Sequence, residues 1–163
     1  MPLIGLHVAN PPEGGWEHPG YMIYQQDAEA VINRHHDTTI HNAHMFWLCC
    51  NDEALDVYDT FLERNPNLYA DVSATEPYLR SPPPTHTKLR DFMIKWKDRF
   101  MFGTDGTPFQ EAFSMWESTN NGGLGLPLIV LNHLYYWNAA QVIPGVKERL
   151  IAMGYEISDY PPE

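Results

Sequence analysis

Four short apolar runs alternate with four amphipathic helical patterns along this chain, and that alternation limits the fold more than any other feature. The strand-like runs are residues 3–8, 38–43, 68–73 and 100–104. Between and after them, helical spacing predicts helices over 26–35, from Asn51 or Asp52 to Arg64, over 87–97, and over 126–138, with a last short helix near 145–153. The second helix shows the pattern best. Ala54, Leu55, Val57, Tyr58, Phe61 and Leu62 make one stripe, an Asn or Asp caps it, and Asn65-Pro66-Asn67 stops it. Strands separated by helices cannot pair as hairpins, so the sheet is expected to be parallel, with helices packed on it. The αβ turns are short and the βα loops long, so function is expected at the C-terminal ends of the strands.

At 163 residues with a hydrophobic fraction of 44%, the chain can bury a substantial core. It is shorter than a closed (β/α)8 barrel of ~250 residues. The expected organisation is one domain over 1–155 and an exposed tail over 156–163. A formal net charge of −11 argues against nucleic acid or an anionic membrane as partner. No run reaches the ~18 apolar residues of a membrane span. The first residues lack the basic and apolar segments of a signal peptide, and Cys49 and Cys50, adjacent to each other, read as reduced thiols. A cytoplasmic location is the expectation.

Three strand tips carry titratable groups: Leu3-Ile4-Gly5-Leu6-His7, Thr39-Ile40-His41-Asn42-Ala43-His44, and Phe100-Met101-Phe102-Gly103-Thr104-Asp105. If His7 and Asp105 point to one face, so do Leu3, Gly5, Met101 and Gly103, because alternate strand residues share a face. The same rule applied from His44 puts Ile40 and Asn42 beside it and turns His41 to the helix layer. Tyr69, Asp71 and Ser73 fall on the inner face of the third strand, with Asp71 expected as a bonded interior group rather than a ligand. His18, His35, His36, His86 and His133 fit loops or solvated helix faces. Cys49 and Cys50 could approach as soft ligands, but small residues in a turn are the preferred reading. His7 and Asp105 lie on outer strands, roughly 14 Å apart in a flat sheet of ~4.8 Å spacings. Only curvature can bring them to one point.

These segments, together with Arg64-Asn65-Pro66-Asn67-Leu68-Tyr69-Ala70-Asp71-Val72-Ser73-Ala74 and Tyr135-Tyr136-Trp137-Asn138-Ala139-Ala140, resemble the amidohydrolase superfamily. The likeness is to its amidohydrolase-related, metal-dependent hydrolases of the TIM-barrel fold. The resemblance implies a (β/α) half-barrel whose four parallel strands correspond to strands five to eight of that barrel. It implies one divalent metal, zinc or else manganese or iron, held by His7, His44 and Asp105. His44 is a ligand in some relatives and a water-orienting base in others, so His44 and Asp105 are the catalytic candidates. The implied reaction is attack of an activated water on an ester, lactone or amide carbonyl of a small-molecule substrate. Metal-assisted decarboxylation and a non-catalytic half-barrel are the alternatives. The family's first-strand His-x-His or Glu-x-His pair has no counterpart in the sequence. Completion of the barrel is therefore expected from a homo-oligomer or a separate N-terminal half, through the bare outer strands.

Overall fold

A computed structural model describes residues 3–8, 17–75, 86–120 and 122–158. Parts of the long loops expected after the first and third strand-like runs (9–16 and 76–85), and the expected tail from 159 onward, lie outside the described residues. The elements, in order, are β1 (Leu3–Leu6), α1 (Pro19–Arg34), β2 (Thr39–Asn42), α2 (Asp52–Arg64), β3 (Leu68–Asp71), α3 (His86–Lys95), β4 (Phe100–Met101) and α4 (Phe109–Glu117). A long composite helix α5 follows, running Leu128–Asn132, then a π-helical stretch His133–Trp137, then Asn138–Val142. The last helix is α6 (Val146–Ala152). The described strands form one open parallel sheet in the order β1-β2-β3-β4, with helices packed on it. This is the parallel α/β architecture that the alternation of strands and helices predicts, and it is consistent with the half-barrel that the family resemblance implies.

Local signals set the helix ends. The Asn51 side chain accepts the Ala54 N–H at 2.8 Å, Asp52 and Glu53 sit in the first turn of α2, and Arg64 in the last. α1 begins earlier than its apolar periodicity suggests, because Pro19 occupies its first turn and the His18 ring accepts the Gly20 N–H. Asn67 Nδ2 reaches His35 O and Thr38 O, tying the end of α1 to the start of β3.

The register divides the sheet into two faces. Ile40 pairs with Leu68, and Ala70 with Phe100. These four, with Val72, are fully buried in the core against Ile32, Leu55, Tyr58, Leu62, Phe92 and Trp116. Gly5 pairs with His41, His41 with Tyr69, and Asp71 with Met101, which makes up the opposite, barrel-side face.

Two elements depart from expectation. The stretch after Asp105, read as a loop, contains α4, whose Phe109, Ala112, Phe113 and Trp116 recur at helical spacing. Phe113 stacks on Phe102 at 4.9 Å. β4 is shorter than the run 100–104, and on its outer side the Phe102 N–H donates to the Leu134 carbonyl of the π-helical stretch at 2.8 Å. No helix among the described residues is long and apolar enough to cross a membrane.

Candidate metal centre

Immediately after β2 the backbone enters a left-handed turn. His44, Met45, Phe46 and Trp47 have φ of 58°, 51°, 50° and 56°, and none of them is glycine. Such conformations cost roughly 1–2 kcal/mol per residue, so the surroundings must hold them. Met45 and Phe46 are wholly buried, the Tyr21 hydroxyl donates to Phe46 O at 2.6 Å, and Trp47 Nε1–H donates to Val8 O at 3.2 Å. The Asn42 amide, oriented to satisfy all its neighbours, accepts the Phe46 N–H at 2.8 Å and donates to Tyr69 O and the Tyr58 hydroxyl. The turn ends strand alternation and swings the His44 ring over the strand tips.

Once there, His44 is fixed by β3. Its Nδ1 lies 2.8 Å from Ser73 O and 3.0 Å from Ser73 Oγ. The carbonyl can only accept, and the Ser73 hydroxyl proton is committed to Asp71 Oδ1, so Nδ1 carries the hydrogen. Asp71 Oδ1 also accepts the backbone N–H groups of His44 at 3.2 Å and Ser73 at 2.9 Å, while Oδ2 meets His41 Nε2 at 2.9 Å. Burial would push the Asp71 carboxyl up, but hydrogen bonds from His41 and from the Ser73 side chain and backbone more than reverse this and hold it below the ordinary value. The close approach of β4 needs Gly103, where an added Cβ would lie 3.0 Å from Ser73 Cβ.

With Nδ1 protonated, neutral His44 presents an unshared pair at Nε2, and that atom faces His7 Nε2 at 3.2 Å. The rings meet edge to face, with centroids 5.1 Å apart. Two imidazole nitrogens bound tetrahedrally to one zinc would stand about 3.3 Å apart, so the pair fits a shared cation in spacing, and His44 fits it in tautomer. Asp105 Oδ2 stands 3.7 Å from His44 Nε2, on a carboxylate that is 63% exposed. The sheet is thus curved enough to bring the tips of β1 and β4 to the same histidine. Among the described residues, however, no group of three or more His, Cys, Asp or Glu is gathered closely enough to hold a metal as it stands. The histidine pair fits, and Asp105 lies at its rim.

Several sequence expectations change here. His41 does not face the helix layer: it lies on the barrel-side face, bonded to Asp71. Ile40 and Asn42 face the helices, Asn42 meeting Tyr58 of α2. Alternation counted backwards from His44 fails because the left-handed turn intervenes. His133 is not solvated but fully buried in the π-helical stretch, its Nδ1 2.9 Å from Asp98 Oδ1 and 3.1 Å from Asn138 Oδ1. Cys49 is buried in the core outside any disulfide, and Cys50 is half-buried with its thiol pushed up by burial. Ser73, which orients His44, carried no role in the sequence reading beyond its inner-face position.

No protein-family model matches the chain, and no curated protein does. Among solved structures, an uncharacterised TIM-barrel protein from Bordetella bronchiseptica superposes on 92% of this chain at 17% identity, with a TM-score of 0.55. The match takes in 45% of that protein's length, so the chain spans less than half of the barrel it resembles. An amidohydrolase from Burkholderia multivorans, solved with bound zinc, matches 72% of this chain and 48% of its own at 18% identity, with a TM-score of 0.47.

Proposed function

We propose that the chain carries the C-terminal part of a mononuclear metal site in an amidohydrolase-type, metal-dependent hydrolase. The observation that supports this best is the His7–His44 pair, with Nε2 atoms 3.2 Å apart and His44 Nδ1 locked as a donor on Ser73. Orientation of a ligating imidazole through its second nitrogen is what a metal site requires. His7 and His44 would hold the ion, with Asp105 joining from the rim. A divalent ion there (zinc, manganese or iron) would supply Lewis acidity towards a carbonyl and lower the pKa of a water. Asp71 and Ser73 keep His44 in one tautomer and one rotamer. In the version where His44 is not a ligand, its Nε2 is the proton acceptor and Asp105 its neighbouring carboxylate. Esters, lactones and amides of small molecules are the substrates to screen, with carboxylated substrates testing the decarboxylase alternative.

Metal analysis of protein purified without chelators or a histidine tag is the direct test. Near one zinc, manganese or iron per chain is expected, lost in His7→Ala and in His44→Ala. Folded protein that takes up no metal, even when zinc is added, refutes the assignment. That result would favour the rival reading, a half-barrel that keeps the fold without turnover, which already has in its favour the lack of a three-residue metal group among the described residues.

A partner that completes the barrel belongs to the same proposal. Among the described residues β1 is paired only with β2; Ile4 on β1 is exposed, as is Tyr24 of α1, which lines one cavity with Leu6, His7 and Val8. An unpaired edge flanked by apolar side chains recruits another chain. Self-association, or capture of a separate N-terminal half, follows. A strictly monomeric species at micromolar concentration by light scattering, with no complementing half found, counts against it.

A further inference from the structure

Beside the histidine pair, the barrel-side face holds a cavity of about 410 Å³ whose walls include Leu3, Met101 and Ile143. His41 and Asp71 form part of its lining, and Asp105 stands at one side. The metal-site reading leaves His41 without a task. Its Nε2 is 2.9 Å from Asp71 Oδ2, and among the described residues its other ring nitrogen has no hydrogen-bond partner. Asp71 cannot supply that partner, because Oδ1 already takes the Ser73 hydroxyl and two backbone N–H groups.

The tautomer follows from the neighbours. Three donors already converge on Asp71 Oδ1, which marks the group as a carboxylate that only accepts, so His41 Nε2, facing Oδ2, carries the hydrogen. In neutral His41 the remaining nitrogen, Nδ1, is then an acceptor in a ring that is partly open to the cavity, its side chain 23% exposed. An acceptor in a lining that is mostly apolar, with Ser73 and Thr104 also present, selects a molecule with one hydroxyl or N–H donor on an apolar body. An anion fits less well, because the Asp105 carboxylate lines the same space.

We propose that Asp71 and His41 form a recognition subsite of their own, a carboxylate-backed imidazole that binds the hydroxyl or N–H group of a small, uncharged, apolar molecule in this cavity. The subsite does not depend on metal at His7 and His44.

Phenol is the probe, with anisole as the control that keeps the ring but cannot donate. Side-chain histidine nitrogens are observed by long-range proton–nitrogen NMR on metal-free protein in chelator, and the His41 signals are assigned by their loss in His41→Gln. His41 is expected in the Nε2–H form. Phenol should shift its Nδ1 signal saturably with a Kd in the millimolar range, as suits so small a ligand. Anisole should bind at least ten-fold more weakly, and His41→Gln should lose at least ten-fold in phenol affinity while His44 signals stay in place. His7→Ala should bind phenol like the parent, which separates this subsite from the metal reading. An Nδ1–H tautomer at His41, equal response to anisole, unchanged affinity in His41→Gln, or no saturable shift would each overturn the proposal.

Discussion

Replacing Asp71 by Asn tests the cradle on which the candidate site rests. The carboxylate takes four donors: the backbone N–H groups of His44 and Ser73, the Ser73 hydroxyl, and His41 Nε2. An amide keeps one oxygen for three of them, but bonds to a neutral acceptor are worth roughly half those to a charged one. Its nitrogen meets His41 Nε2 donor to donor until the imidazole changes tautomer. At about 1.5–3 kcal/mol for a charged bond and 0.5–1.5 for a neutral one, with the losses not additive, the net cost is about 2–3 kcal/mol at pH 7. For a chain of this size that lowers Tm by roughly 4–12 °C. The sign with pH follows from the depressed Asp71 acidity. Its contribution is complete above the unfolded carboxyl value of about 3.9 and is lost as pH falls through the lower folded value. Urea unfolding of the two proteins should therefore show a gap that is steady from pH 7 to 5 and narrows below about pH 4. A gap under ~0.5 kcal/mol at pH 7, or one that does not narrow in acid, would refute the reasoning.

Two further substitutions probe the packing that supports the site. Tyr58 is fully buried, and burial pushes its hydroxyl well above the ordinary tyrosine value, only partly offset by the Asn42 hydrogen bond. A raised folded value stabilises fully below the unfolded value near ~10 and is lost as pH climbs towards the folded one. Tyr58→Phe should thus cost about 1 kcal/mol in urea at pH 7 and flatten the loss of stability between pH 10 and 11. Asn138 Nδ2 donates to Lys97 O at 2.6 Å and Phe100 O at 2.7 Å, fastening the long C-terminal helix to the start of β4. Asn138→Ala should cost about 2–3 kcal/mol, against less than ~0.5 kcal/mol for the exposed control Asn33→Ala.

The layout of four βα units was legible because hydrophobic periodicity reports burial directly. The inward set Leu3, Gly5, Met101 and Gly103 could be read because no left-handed residue interrupts 3–7 or 100–104. β2 could not be read this way. Nothing in Ala43-His44-Met45-Phe46-Trp47 announces a left-handed turn, since the usual signal is Gly or Asn and here tertiary contacts alone impose it. One such turn exchanged the faces assigned to His41, Asn42 and Ile40. The helix over Phe109–Glu117 had its signal in Phe109, Ala112, Phe113 and Trp116, but the turn formers on either side outweighed it. The burial of His133 had no local signal, because it depends on where the π-helical stretch meets Asp98.

The left-handed turn links the two faces of the sheet. Its strain, on the order of 4–8 kcal/mol over four residues, makes it a natural first place for local opening, ahead of the strands. The Phe46 side chain is in the helix-side core, whereas the His44 ring reaches the barrel side. Whatever pins His44 Nε2 must then also hold the backbone between them. Hydrogen exchange at the Phe46 amide, sealed against Asn42 on the far side of the sheet, would report occupancy of a site that it does not touch.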